Sequence, residues 1–430
     1  MGAADPRELL LDSFRAAIAA ADPLRILAPA LPGPAEIAGF RRTLVVGAGK
    51  AAAGMALAVE RHWPAQAALE GLVVTRHGHG LPCERIRVVE AGHPLPDAAG
   101  EGAAADILAA ARRLGEDDLL LVLLSGGGSS LLALPAPGVP MADLRATTEL
   151  LLASGAPIQE INTVRKHLSR IQGGRLAAAT RARVLALVVS DVAGDDISSI
   201  ASGPCAPDPG SFSDALGVLE RWRVDAPGPV LAHLHRGLQG DEPDTPKPGD
   251  AAFRRVEHRL VATAQGSLQA AARVFESAGV QPVVLGDTVT GEARDVAAVM
   301  AAIARQVSLH GQPFRRPVAL ISGGECTVTV RGQGRGGRCA EFALALAQSM
   351  AGVGQAWAIA ADTDGIDGTE DNAGALLGPD TLERAARAGL DPRRMLDDND
   401  AWSFFAALGD LVVTGPTRTN VNDYRAILLA

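Results

Sequence analysis

Short runs of Val and Leu alternate along most of the chain with Ala-rich stretches of helical period. In order these are "RTLVVGAGK", "AAAGMALAVERHW", "GLVVTRHG", "IRVVEAG", a helical pattern over 97–114, "DDLLLVLLSGGG", a helical region through Leu176, and "ARVLALVVSDV". Continuous apolar runs separated by helical patterns predict parallel strands covered by helices on both faces. The first 27 residues, "MGAADPRELLLDSFRAAIAAADPLRIL", predict an amphipathic helix.

The rhythm breaks at "GDEPDTPKPGD", residues 240–250, a Pro-rich acidic stretch predicting an exposed connection. A boundary at 245/246 is therefore expected, with domains over 1–245 and 246–430. Beyond it "RRVEHRLVATAQGSLQAAARVFESAGVQPVVLGD" again reads strand, helix, strand. "PVALISGGECTVTVRGQGRGG" reads as a strand, a turn at Gly323-Gly324 and a second strand, a hairpin that predicts a mixed sheet. The fold class is thus α/β, with a Rossmann-like parallel sheet first and a smaller mixed sheet second.

Composition narrows the chemistry. The 430 residues exceed what one ordinary core organises, and aromatics make up only 3%. Rings for stacking bases are scarce. With 40 Lys plus Arg against 49 Asp plus Glu, the formal charge of −9 argues against non-specific binding to nucleic acid or anionic lipid. The four cysteines are widely spaced and form no C-x-x-C pair, which fits a reducing cytoplasm. No apolar run approaches the roughly 20 residues that span a bilayer.

Two glycine loops follow predicted strands. In "TLVVGAGKAAAGMA" Lys50 stands where a helix begins, a place that favours anions. The Walker A spacing fails, because Gly47 and Gly49 are too close and Ala51 follows Lys50. Gly47, Gly49 and Ala52 match a G-x-G-x-x-A dinucleotide pattern, but Arg76 stands near where an acid is expected. In "SGGGSS" Ser125, Gly126, Gly127, Gly128 and Ser129 form a second loop, in which three glycines expose more backbone than a turn requires. Tight packing of strand against helix is the alternative for both loops.

Further candidates are polar clusters. "INTVRKHLSRIQGGRLA" places Arg165, Lys166 and Arg170 on one predicted helix ending at Gly173-Gly174, with Asn162 and Thr163 suited to capping its start. "VVSDVAGDDISS" ends a strand at Ser190-Asp191, where a carboxylate holds Mg²⁺ or accepts a hydroxyl proton, while Asp195 and Asp196 read as turn caps. "RGQGRGGRCAEF" offers Arg335 and Arg338 from a backbone-bare loop suited to phosphate or carboxylate. "AADTDGIDGTEDNAG" gathers Asp362, Asp364, Asp367, Glu370 and Asp371 without the spacing of an EF-hand. His77 and His79 read as loop residues, and His93 as a loop residue that can line a cleft.

Taken together, "INTVRKHLSRIQGGRLA", "SDVAGDDISSIASGP", "RGQGRGGR", "AADTDGIDGT" and "LGDLVVTGPTRTNVND" resemble the glycerate 2-kinase family with a C-terminal MOFRL domain, here about 316–424. The family is also known under the name hydroxypyruvate reductase. The resemblance implies ATP-dependent phosphorylation of the 2-hydroxyl of D-glycerate with Mg²⁺, in a cleft between two three-layer α/β/α domains. It implies site roles for Lys50, Asp191 and Arg338. Where the family has Asn-Gln after "GRGGR", this chain has Cys339-Ala340, and an Asn-Asp-Ser-Tyr segment appears as Asn399-Asp400-Ala401-Trp402. If those side chains touch a ligand, the acceptor differs from glycerate.

The leading expectation is a cytoplasmic kinase for a small hydroxy acid, with no nucleic-acid or membrane partner and a homodimer as an allowed assembly. Gly49, Lys50 and the Gly126–Gly128 loop cradle phosphates, with Ser125 and Ser129 as added donors. Arg335 or Arg338 neutralises transferring charge, Arg165 and Lys166 bind the acceptor carboxylate or further phosphate oxygens, and Asn162 and Asp364 contribute to binding. Asp191 orients the acceptor hydroxyl or holds the metal. The rival readings are an NADPH-dependent hydroxypyruvate reductase using Gly47, Gly49, Ala52, Arg76 and His93, and a non-catalytic sugar-acid-binding regulator.

Overall fold

The computed structural model describes residues 5–430 and divides the chain into two compact units. One comprises residues 26–261; the other joins residues 1–25 to 262–430. This differs from a single cut at 245/246. The helix Pro6–Ala19 buries Leu9, Leu10, Phe14 and Ala17 against Leu268, Ala271, Ala272 and Phe275 of the helix Ala264–Ser277, so the amphipathic start of the chain joins the second core. Its apolar face needs a partner, and the partner lies far along the sequence.

The unit of residues 26–261 is built on six strands, β1 (Thr43–Ala48), β2 (Leu69–Arg76), β3 (Ile86–Ala91), β4 (Leu119–Leu124), β5 (Arg183–Val189) and β6 (Val256–Ala262), in the order β3-β2-β1-β4-β5-β6. β1 pairs in parallel with β2 and β4, β2 with β3, and β4 with β5. Every residue of β1 and β4 is buried, as continuous apolar strands require when both faces of the sheet are covered. The chain winds outward from β1 to β3, then returns to β4 and winds the other way. β1 and β4 therefore meet at a topological switch point, where the loops leaving their carboxyl ends diverge.

The other unit carries β7 (Gln281–Gly286), β8 (Gly291–Glu292), β9 (Val318–Ser322), β10 (Cys326–Thr327), β11 (Ala356–Asp362), β12 (Gly374–Leu377), β13 (Leu411–Val412) and β14 (Asp423–Leu429). Its main sheet has the order β13-β12-β11-β14-β9-β7 and is mixed, with β7 and β9 parallel and the remaining pairs antiparallel. It has six strands, as many as the parallel sheet, although its unit is the shorter of the two.

The predicted hairpin at Gly323-Gly324 does not form. β9 pairs with β14 and β7, whereas β10 leaves the sheet and pairs in parallel with β8. Gly324, at φ +101°, passes so close to Val289 that a β-carbon would fall 2.3 Å from the valine carbonyl oxygen. The buried Arg425 guanidinium donates to the carbonyls of Gly323 and Gly324, holding the departing chain. The fully buried C-terminal strand β14 occupies the edge that a hairpin would have taken.

Among the described residues, no helix is long and apolar enough to cross a membrane.

Candidate functional site

The loops after β1 and β4 interlock. Lys50 N–H donates to the Gly126 carbonyl at 2.8 Å, Ala51 N–H to Ser125 Oγ at 3.0 Å, and Ser125 N–H to the Ala48 carbonyl at 3.2 Å. Ser125, expected to contact ligand, is fully buried and serves the β1 loop instead. The glycines answer to packing as well as to ligand access. A β-carbon on Gly47 would lie 2.1 Å from the Leu123 carbonyl oxygen, one on Gly127 (φ +78°) 2.7 Å from His93 Nε2, and one on Gly128 2.6 Å from the Ala201 β-carbon. Gly128 N–H bonds to the Ser125 carbonyl, whereas the amides of Gly126 and Gly127 make no hydrogen bond to another described residue. The loop thus packs tightly, and at the switch point it carries two amides of the kind that can bind an anion.

Behind this loop, Ser202 Oγ donates to Ser129 Oγ at 2.9 Å and lies 3.3 Å from Asn162 Oδ1, while Gln172 Nε2 donates to the Ser129 carbonyl at 2.7 Å. Ala201 and Ser202 adopt positive φ, +51° and +56°, a strained conformation for non-glycine residues that sets Ser202 against Ser129. Ser202 lies within the "SDVAGDDISSIASGP" stretch, but its contact with Ser129 comes from the packing alone.

The basic helix differs from expectation. It spans Ile158–His167, so Asn162 and Thr163 lie within it rather than capping it, and Arg170 lies beyond its end. Pro157 precedes the first turn and fixes the start; Gly173 and Gly174 take left-handed conformations before the next short helix. The buried Lys166 Nζ is 3.3 Å from the buried carboxylate of Asp208, so its charge is met by an internal ion pair. Arg165 has no carboxylate partner among the described residues, and burial pulls its pKa down to about 10.

Asp191 follows β5, directly after the buried Ser190, and is half-buried at the carboxyl end of the sheet. Asp196 accepts from Ser198 N–H and from the hydroxyls of Ser198 and Ser199, each at 2.8–2.9 Å, and is a turn cap as expected. These bonds hold its carboxyl below the ordinary range against the opposing effect of burial. Exposed His77 sits 3.4 Å from Asp97, His79 is buried, and His93 lies against Gly127.

In the mixed-sheet unit the arginines are anchored rather than mobile. Arg338 is the first residue of the helix Arg338–Ser349 and pairs with Asp423 and Asp362 at 2.7 Å and with Glu325 at 2.8 Å. Burial opposes its charge, but the three carboxylates outweigh burial and raise its pKa. The loop before it is not backbone-bare. Arg331 and Gly332 N–H donate to Asn399 Oδ1, Gln333 N–H to Asp398 Oδ1, Gly334 N–H to the Asp398 carbonyl, and Arg335 N–H to Asp400 Oδ1. Arg335 pairs with Glu370 and stacks its guanidinium 3.8 Å from the centre of the Trp402 ring. Asp364 is buried, and its carboxylate accepts from Ile366 N–H at 2.8 Å.

Cys339, Ala340 and Ala401 are buried within the hydrophobic core and so do not alter a ligand surface; Trp402 supports Arg335. Asn399 and Asp423 were not singled out as site residues. Their importance depends on contacts with residues 67 and 85 positions away, which no local pattern records.

A doubly wound parallel sheet with paired glycine loops at its switch point defines an α/β protein of the doubly wound class. Residues 9–235 match a family described as a domain of unknown function (DUF4147), and residues 318–423 match the MOFRL family. A protein of Agrobacterium vitis, provisionally named hydroxypyruvate reductase, is 50% identical over 426 residues, covering 98% of this chain and 94% of that protein. A glycerate 2-kinase of Pyrococcus horikoshii is 38% identical over 435 residues, 98% of this chain and 97% of that protein. The crystal structure of glycerate kinase from Thermotoga maritima superposes with a TM-score of 0.86 at 36% identity, covering 99% of both chains. The chain belongs to the glycerate 2-kinase family with a MOFRL domain.

Proposed function

We propose that this protein transfers the γ-phosphoryl group of ATP to the 2-hydroxyl of D-glycerate, giving 2-phosphoglycerate and ADP. The observation that carries the reading is the β4 loop, whose Gly126 and Gly127 amides have no hydrogen-bond partner among the described residues although the Ser125 and Gly128 amides on either side of them are bonded. Such amides at the end of a parallel strand bind phosphate oxygens. Phosphoryl transfer asks mainly for positioning and charge stabilisation, which backbone donors and arginine or lysine supply.

In this reading Lys50 sets its positive charge on the phosphates beside the glycine loop, and Asp191 receives the proton of the attacking hydroxyl. Arg338 is assigned to the transferring phosphoryl group by its place in the family motif. Its anchoring by Asp362, Asp423 and Glu325 gives it a fixed orientation. Mg²⁺ bound with the nucleotide would neutralise phosphate charge. Among the described residues no three His, Cys, Asp or Glu side chains form a metal cage. Were Asp191 instead the metal ligand, waters and phosphate oxygens would supply the remaining ligands of the cation.

The reductase reading is supported by the name of the Agrobacterium relative. Its dinucleotide pattern is weakened by Gly47, which lies within β1 and faces Leu123 rather than a ligand. Purified protein incubated with D-glycerate and MgATP, and separately with NADPH and hydroxypyruvate, separates the two. Formation of 2-phosphoglycerate is expected; NADPH oxidation without phosphoglycerate would reverse the assignment. Ligand binding without turnover in either mixture would favour a regulator.

A further inference from the structure

We propose that Arg165 is the residue that recognises the carboxylate of the acceptor, and so selects hydroxy acids over neutral polyols. The inference rests on the kinase reading and assigns one of its substrate contacts.

The argument begins from the arginines and lysines near the sheet's carboxyl end. Lys166 is neutralised by Asp208. Arg175 donates to the carbonyls of Lys166 and Pro243 and so ties two chain segments together. Arg165 has neither role. Its one hydrogen bond, from Nη1 to Asn162 Oδ1 at 3.4 Å, is long, and no carboxylate faces it among the described residues. Leaving a guanidinium in a largely dehydrated place without an anion is costly, so the site is incomplete without a negative group.

The surroundings define that group. Arg165 lines a narrow cavity with Ser129, Ser169, Gln172 and Thr148, so polar side chains flank its guanidinium. Asn162 Oδ1 accepts from Arg165 Nη1 and lies 3.3 Å from Ser202 Oγ, and its amide N–H₂ can serve as a further donor. Ser129 joins this cluster to the glycine loop, so a carboxylate on Arg165 is held by the same wall that offers the Gly126 and Gly127 amides. A planar fork beside an amide donor suits bidentate carboxylate binding better than a point charge does.

The test is a split between the two substrates. Arg165→Gln is expected to raise KM for D-glycerate on the order of 10–100-fold, the range for loss of a charge-assisted pair, while KM for MgATP and kcat stay within about three-fold. Arg165→Lys, which keeps the charge but not the fork, is expected to fall between. An unchanged KM for D-glycerate, or an equal rise in both KM values, would overturn the proposal. Thermal protection gives a readout without turnover: D-glycerate, but not glycerol at equal concentration, is expected to raise the melting temperature of the wild-type protein and to lose this effect in Arg165→Gln. Should Arg165→Gln not fold, the same comparison on Arg165→Lys decides, because persistence of full protection there counts against the bidentate contact. Absence of phosphoglycerate from the wild-type protein would refute the kinase reading alone, since the protection experiment still judges Arg165.

Discussion

Gly49 lies so close to Ser125 that a β-carbon on the glycine would fall 2.1 Å from the serine Oγ, and Gly49 itself has φ +138°. Two loops that leave neighbouring strands are thereby joined at their tightest point. Gly49→Ala must strain its own backbone and push the β4 loop outward. We expect a loss of about 2–4 kcal/mol in unfolding free energy. Displacing the loop by an ångström is expected to lower kcat/KM on the order of 100-fold. Urea unfolding and steady-state kinetics check the two effects; a fully active Gly49→Ala would remove the glycine loops from the site.

Asn399 holds the start of the Arg331–Arg335 loop. Its Oδ1 accepts from Arg331 and Gly332 N–H at 2.7 and 3.0 Å, its Nδ2 donates to the buried Glu341 at 2.8 Å, and its backbone is left-handed at φ +56°. Asn399→Ala loses these bonds, together with a longer one from Nδ2 to the Thr329 carbonyl, and adds backbone strain, for an expected cost of about 2–4 kcal/mol. Asn399→Gly loses the bonds without the strain and should be the less damaged of the two. Equal stability of the two variants would show that the conformation of residue 399 carries no cost.

Asp367 links stability to pH. Its carboxylate accepts from Cys339 and Ala340 N–H, yet burial dominates and lifts its pKa from 3.8 to about 7. The folded form therefore holds a proton that the unfolded chain releases near pH 4. The contribution favours folding most below pH 4 and is lost as pH rises toward 7, at up to ~1.4 kcal/mol per unit. In Asp367→Asn this component is absent. Guanidinium unfolding at pH 5 and pH 7 should show a smaller pH dependence for the variant than for the wild type; identical slopes would count against the raised pKa.

Arg418 combines a left-handed backbone, φ +59°, with a buried Nε that has no hydrogen-bond partner among the described residues. Thr417 and Thr419, on either side, donate to the Thr363 and Ala21 carbonyls and keep the strained residue in place. Glycine accepts this conformation freely, at some entropic cost in the unfolded chain. Arg418→Gly is expected to raise stability by about 0.5–1 kcal/mol, or a few degrees in Tm. Scanning calorimetry would expose a contrary result as a lower melting temperature.

Much of the local organisation was legible in the chain. The strands ending at Ala48, Leu124 and Val189 and the helix Ala98–Ala111 follow from periodicity, because the side chains that specify them are neighbours in sequence. The helix around Arg165 was misread at both ends. Asn162 and Thr163 resemble caps, but Pro157 had already started the helix, and caps are a weaker signal than a proline at the right place. The hairpin failed for a different reason. Strand pairing is chosen among all strands present, and β14, about a hundred residues later, takes the place beside β9.

The sequence by itself determined the α/β class and the two glycine loops after buried strands, since each depends on residues within a few positions of one another. The family resemblance likewise rested on contiguous motifs. Only the tertiary structure decided which charges are spent. Lys166 meets Asp208 across 42 residues and Arg338 meets Asp423 across 85, whereas Arg165, adjacent to Lys166 in the chain, meets no carboxylate among the described residues. A charged side chain declares its sign in the sequence, but its energy depends on burial and on partners brought near by folding, and these are properties of the packed molecule alone.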